Sequence, residues 1–393
     1  MNRASVLVGE DREVEAAADR RLRILILRAF PAPISPRYYN VQEIGLAREL
    51  HSRGIDVEIA AAVPKEFQAA GKEYGVQPML YRGMATLSWF ADFSHLDWDS
   101  YDVVQISDLC LPGNFQALRR VPPHIPILVY QGHYREPSGY KRWLRLAWTR
   151  LTALKLRSRR YSVLAKNDGA AELLASCGLR SPRVVGVGLE AVGLLQQDAL
   201  PAEVEQFLKK SPPPMLYVGT LDDRRPVKWI LPHFRHAALQ SSAAIVVGKG
   251  PDEPHLRRAY EDLVEHGRLL FVPSLTQGQL GNLYSRAACL VLPTHFEIYG
   301  MTCMEGVLFN LPVLASDVPG PRTIARRFPG SVTLIPKGPS PDAWRDALTD
   351  ALSTRHDKRP NGLPDARSVE KLSWRSQGEV FAAAIRELAG GVV

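Results

Sequence analysis

The sequence predicts an α/β protein of two doubly wound, Rossmann-like domains facing each other across a cleft. Three observations predict it. The chain has 393 residues, two to three times the length of an ordinary domain. Short apolar runs of the kind buried on both faces of a parallel sheet alternate with segments of helical spacing. A stiff spacer, Ser211-Pro212-Pro213-Pro214, divides this alternation into two series, each opening on a buried strand.

The elements follow in order. Residues 1–20 are polar and alanine-rich and form an N-terminal arm, expected to be flexible. Order begins at Arg23-Ile24-Leu25-Ile26-Leu27, a continuous strand run. A proline-rich loop (Pro31, Pro33, Pro36) leads to Asn40-Val41-Gln42-Glu43, which has the form of a capping box. Ile44, Leu46, Ala47 and Leu50 keep helical spacing until Gly54 stops the helix, and Val57–Ala60 is the next strand. Strand, helix and strand with short joints make a right-handed βαβ unit. Tyr101–Ile106, Ile125–Tyr130 and Ser162–Ala165 read as further strands, followed by a helix from Gly169 to Cys177 and a strand over Arg183–Gly188. The first domain is therefore 21–190, and 191–213 reads as a linker. The second domain, 214–375, carries strands at Met215–Gly219, Ala243–Gly248, Leu269–Val272, Ala288–Pro293 and Val313–Ala315. Residues 376–393 hold an amphipathic helix, Gln377–Leu388, expected to pack back on the first domain.

Composition narrows the class. A hydrophobic fraction of 46% and a charged fraction of 23% exclude wholesale disorder. The net charge of +8 is diffuse and lacks an aromatic platform, which argues against nucleic acid and suits anionic small molecules or an anionic membrane surface. The four cysteines stand far apart, with neither a disulfide framework nor metal-ligand spacing. No apolar run is long enough to span a membrane, and the start of the chain lacks a signal-peptide core, so a cytoplasmic protein is expected.

The sharpest feature is Glu297-Ile298-Tyr299-Gly300-Met301-Thr302-Cys303-Met304-Glu305. Two carboxylates flank a glycine that would open a helix. The N–H groups of Gly300, Met301 and Thr302 would point into the cleft as an anion site. Each carboxylate could accept two hydroxyl hydrogen bonds, as a ribose or a sugar ring presents them.

This stretch, with Gly306-Val307 and Leu311–Asp317, resembles the signature of glycosyltransferase family 4. Val246-Val247-Gly248-Lys249-Gly250-Pro251 resembles that family's V-G-x-G-P turn, and Leu280–Leu292 its L…LY…A…VLP run. Tyr39–Leu50 and Tyr130-Gln131-Gly132 are similar to members that build capsular and other surface polysaccharides. The resemblance implies the two-domain GT-B fold and a retaining, metal-independent hexosyltransferase without a cofactor. Its donor would be a nucleoside-diphosphate sugar, with UDP ahead of GDP on family frequency. The first domain would bind the acceptor and the second the donor. Glu305 would hold the ribose hydroxyls and Glu297 the donor sugar. The family places an Arg and a Lys after the first strand of the second domain, to hold the diphosphate. Here that loop runs from Gly219 to Lys228, with Thr220 at the Arg position and Arg225 at the Lys position; Arg224 or Lys228 would supply the second cation. The family's Gly-Gly loop is replaced by Pro36–Asn40. Its histidine near the donor sugar aligns with Gln131, and His133 lies two residues on.

Two further segments carry expectations. Asp97-Trp98-Asp99 matches a D-x-D metal motif, which chance explains at this position; no metal site is expected. Residues 141–160 are basic and contain tryptophan and leucine at near-helical spacing, a pattern suited to anionic lipid headgroups or, equally, to a helix that packs Trp143, Leu146 and Leu151 on the sheet with its charges in water. The sequence thus points to sugar transfer to a glycan or lipid-linked acceptor in surface polysaccharide or glycoconjugate synthesis, peripheral on the inner face of the cell membrane. Two alternatives remain: a nucleotide-sugar epimerase of the same fold, and a non-catalytic binding or scaffold protein.

Overall fold

The computed structural model describes residues 20–29, 41–61, 76–78, 93–94, 96–135, 140–338, 340–353 and 364–390. The N-terminal arm up to residue 19, the proline-rich loop, Asn40 and residues 391–393 lie outside them. Two parallel sheets organise the molecule. The first holds β1 (Leu22–Arg28), β2 (Ile55–Ala61), β3 (Val76–Pro78), β4 (Val103–Ser107), β5 (Ile127–Gln131), β6 (Tyr161–Ala165) and β7 (Arg183–Val184). Its order is β3-β2-β1-β4-β5-β6-β7. The second holds β8 (Met215–Val218), β9 (Ala244–Val247), β10 (Leu269–Val272), β11 (Cys289–Leu292), β12 (Val313–Ser316) and β13 (Val332–Ile335). Its order, β10-β9-β8-β11-β12-β13, repeats the pattern. In both, the order reverses beside the first strand, which opens a ligand crevice at the carboxyl ends of the strands.

The continuous apolar runs are explained by burial on both faces. Ile24, Leu25, Ile26 and Leu27 are all fully buried; Ile24 and Ile26 join one core cluster, Leu25 and Leu27 the opposite one. The cluster containing Ile24 continues into the second domain through Leu216, Leu290 and Leu292.

The chain crosses between domains twice. The first crossing follows β7. Only Arg183 and Val184 pair with β6, and Val185 N–H adds a last bond to Ala165 O, while Val187, expected in the same strand, and Leu189 beyond it run on as irregular chain buried in the shared core. Their alternation records that burial and not a ladder. The return crossing precedes the C-terminal helix, and the two touch: Leu189 N–H donates to Leu372 O at 2.8 Å. The helix Trp374–Ala389 lies on the first domain, with the Phe381 ring 4.8 Å from that of Tyr130 and Arg386 donating to Arg53 O.

Two local readings change. Helix α1 (Gln42–Ser52) is capped by Val41 without a side-chain bond, and Glu43 instead pairs with Arg28 at the end of β1 (3.3 Å). The segment 191–213 is largely helical, at Val192–Leu195 and Ala202–Lys210, because Leu194, Leu200 and Val204 are buried against the second domain. Asp198 accepts from Thr276 and Glu205 pairs with Arg286, which leaves a spacer only near Ser211–Pro213.

Four further helices position the site or its surroundings: α2 (Tyr140–Leu156), α3 (Asp168–Ser176), α4 (Gln277–Arg286) and α5 (Met301–Leu308). Among the described residues no helix is long and apolar enough to cross a membrane.

Candidate active site

The loop after β8 is folded by its own side chains. The Tyr217 hydroxyl donates to Thr220 O (2.7 Å), and Asp222 Oδ1 accepts from the N–H groups of Arg224 and Arg225. The V-G-x-G-P turn after β9 packs against this loop. Gly248 has φ +151°, and a Cβ there would stand 1.8 Å from Gly219 O, so only glycine fits. The two turns together aim Arg225 at the end of β11.

There Arg225 Nη2 and Nε donate to Glu297 Oε2 at 2.5 and 3.1 Å. Their side chains are only 18% and 12% exposed. Burial opposes the guanidinium charge, but Glu297 outweighs it and holds Arg225 above its usual range. Both donors go to one oxygen, so Oε1 has no protein donor among the described residues. Gly219 lies against Arg225: a Cβ there would be 3.2 Å from Nη1.

Gly300 caps α5 in the left-handed region (φ +98°), which turns the chain from the Glu297 loop into the helix. Met301 and Thr302 then form the first turn of α5, with their N–H groups at its N-terminal end. Thr302 Oγ1 is buried without a hydrogen-bond partner. Further along α5, Glu305 is 3% exposed and its Oε2 accepts from the Tyr284 hydroxyl of α4 at 2.5 Å.

The first domain supplies the opposite wall. His133 follows β5, with Nδ1 3.3 Å from Asp108 Oδ2, a close contact without hydrogen-bond alignment. Asp108 has φ +57°, and its Oδ1 accepts from the N–H groups of Gly132 (2.7 Å) and His133 (2.8 Å). Burial pushes the Asp108 carboxyl up, but His133 and Lys166 pull it well below the usual carboxylate range. Gln131 is fully buried and bound to the backbone: Oε1 accepts from Leu109 N–H and Nε2 donates to His133 O. Of the two, His133 faces the second domain, its ring 6.1 Å from that of Phe296. Tyr134 stacks on Phe296 at 4.3 Å, and its hydroxyl accepts from Glu297 N–H at 3.1 Å. Asn167 caps α3 and donates to Gly132 O and Ile298 O, joining both walls.

Arg225, Glu297, Gly219 and the Gly300–Thr302 turn are thus brought together, with Glu305 deeper on α5. Arg224 is exposed and joins through its carbonyl, which accepts from His295 N–H. Lys228 is turned away to Asp223 at the surface (2.7 Å), so it is not part of the cluster. Thr220 is exposed, and Pro36–Asn40 lies outside the described residues. Asp99 of the D-x-D segment pairs with His124 on the exposed surface. Sequence reasoning missed Asp108, Tyr134, Asn167 and Tyr284. Asn167 carried a signal as a cap residue ahead of a helical run, and Tyr284 as the tyrosine of the L…LY…A…VLP run.

Two Rossmann-like domains with a buried carboxylate–arginine cluster at the facing strand ends define the GT-B class of architecture. Residues 201–363 match the family model of glycosyl transferases group 1. Curated relatives include a D-inositol 3-phosphate glycosyltransferase of Nocardia farcinica, 30% identical over 127 residues, or 31% of this chain and 28% of that protein. A glycosyltransferase of Methanocaldococcus jannaschii is 24% identical over 162 residues, 41% of each chain. The chain spans less than half the length of these relatives. An Anabaena protein solved in complex with UDP superposes with TM-score 0.67 at 11% identity, covering 94% of this chain and 100% of that one. Sucrose-phosphate synthase from Thermosynechococcus elongatus gives 0.66 at 16% identity over the same shares.

Proposed function

We propose that the protein is a retaining hexosyltransferase. It takes a sugar from a nucleoside diphosphate, UDP ahead of GDP, to a glycan or lipid-linked acceptor in surface polysaccharide or glycoconjugate synthesis. The Arg225–Glu297 pair beside the α5 N-terminus carries this reading. Cleavage of the bond between the anomeric carbon and phosphate leaves a diphosphate of growing negative charge. Arg225 and the first-turn N–H groups of α5 are placed to meet that charge. Glu297 Oε1 would accept from a sugar hydroxyl, and Glu305 would hold the ribose hydroxyls. Attack from the front face, with the donor phosphate taking the acceptor proton, needs no carboxylate base. This agrees with a Glu297 already occupied as an ion-pair partner. The similar Anabaena protein was solved with UDP and with UDP-glucose, which supports the choice of nucleotide.

Calorimetric titration with UDP and GDP, repeated on Glu305→Ala, tests the reading. Binding of one nucleotide that the substitution abolishes is expected. Absence of binding by either would overturn the donor assignment. Two observations favour a second reading, a binding protein that kept the fold: Thr220 stands where the resemblance expects a cation, and Arg225 is already paired with Glu297. Donor binding without turnover on any acceptor would select it.

A further inference from the structure

Helix α2 is apolar on two faces. Leu146, Ala153 and Leu156 are buried in the first domain, with Thr149 and Thr152 beside them. On the solvent side Trp143, Leu144, Leu151 and Leu154 are 65%, 56%, 48% and 62% exposed. At about 100° per residue these four and Ala147 fall in one band roughly 100° wide, with Arg150 past one edge and Lys155 past the other. A surface helix normally turns such a band to a core. Of the seven large hydrophobic side chains exposed among the described residues, four lie on this helix, so scatter does not explain them.

The charge along this segment has one sign. Residues 141–160 contain eight Lys and Arg and no acidic residue. Just past the helix, Arg157, Arg159 and Arg160 meet Arg180 and Arg183, distant in sequence, around a cavity of about 910 Å³ where Glu387 pairs with Arg183 at 3.7 Å. Arg157, Arg159 and Arg160 donate to the carbonyls of Cys177, Pro122 and Leu388, which fixes their heads without neutralising them. Val184, 38% exposed, adjoins Arg183.

We propose that α2 seats the protein in the interface of an anionic lipid bilayer. The Trp143–Leu154 band enters the boundary between headgroups and acyl chains. Lipid phosphates gather at Arg150, Lys155 and the arginine cavity. A second copy of the chain fits the band less well, because a face shared between copies would set these basic flanks against each other. The inference goes beyond the donor-site reading, and its residues are separate from the Arg225–Glu297 cluster.

The test is co-sedimentation of the full chain with phosphatidylcholine vesicles, with and without phosphatidylglycerol, alongside sedimentation velocity without lipid. Binding only to the anionic vesicles, weakened by salt, is expected. Leu151→Ser with Leu154→Ser should abolish it. Arg150→Gln with Lys155→Gln should weaken it about 30-fold, at roughly five-fold per charge. UDP titration of the same variants should match the parent chain, and a failed donor reading would leave the vesicle result intact. No binding, equal binding to neutral vesicles, or full binding by the serine variant would overturn the proposal. So would a lipid-free dimer that the serine variant dissolves.

Discussion

At the scale of residues, the site is a set of charges that hold each other in place. Arg225→Ala should lower kcat by about two orders of magnitude, the usual loss for one preorganised donor. Glu297→Ala should reduce turnover more than it weakens UDP binding, as steady-state kinetics with titration would show. Wild-type values in both variants would sink the site assignment. Asp108 gives a pH dependence. Its folded carboxyl titrates below its unfolded value near 4, so its stabilising contribution is complete above that pH. The contribution fades as pH falls through the folded value. Asp108→Asn should therefore destabilise the protein at neutral pH, with the gap closing in acid; urea unfolding over a pH series would measure it. Glu297 and Glu305 were legible because a motif fixes their spacing. Asp108 and Tyr134 were not, since each acts on a partner that only the fold brings near.

At the scale of elements, the strands were legible because two-sided burial writes itself as unbroken apolar runs. The exceptions are informative. Residues 186–188 carry a strand's composition without a ladder, and 191–213 looks like a spacer while folding into helices. In both, packing between domains set the pattern. The turn after β9 should be intolerant of change. Gly248→Ala must push Gly219 O away from an overlap, so a loss of a few kcal/mol is expected in chemical denaturation. A loss near the few tenths typical of surface substitutions would refute the close approach.

At the scale of the whole molecule, polar ties cross the cleft beside the site. Asn167 reaches Ile298 O, the Tyr134 hydroxyl accepts from Glu297 N–H, and Asp168 pairs with Arg326. Asn167→Ala should loosen the two walls, raising the radius of gyration in solution scattering and weakening donor binding. An unchanged scattering profile would assign the asparagine to capping α3 alone. The touching of the two crossings, Leu189 against Leu372, has a mechanical consequence. A chain that passes twice between two bodies at one point gives them a single pivot and forbids them to slide apart. Rotation there is amplified toward the far edge, as in a pair of tongs. Side chains at the pivot thereby govern how fast ligands enter and leave, while the chemistry at the tips stays as it was.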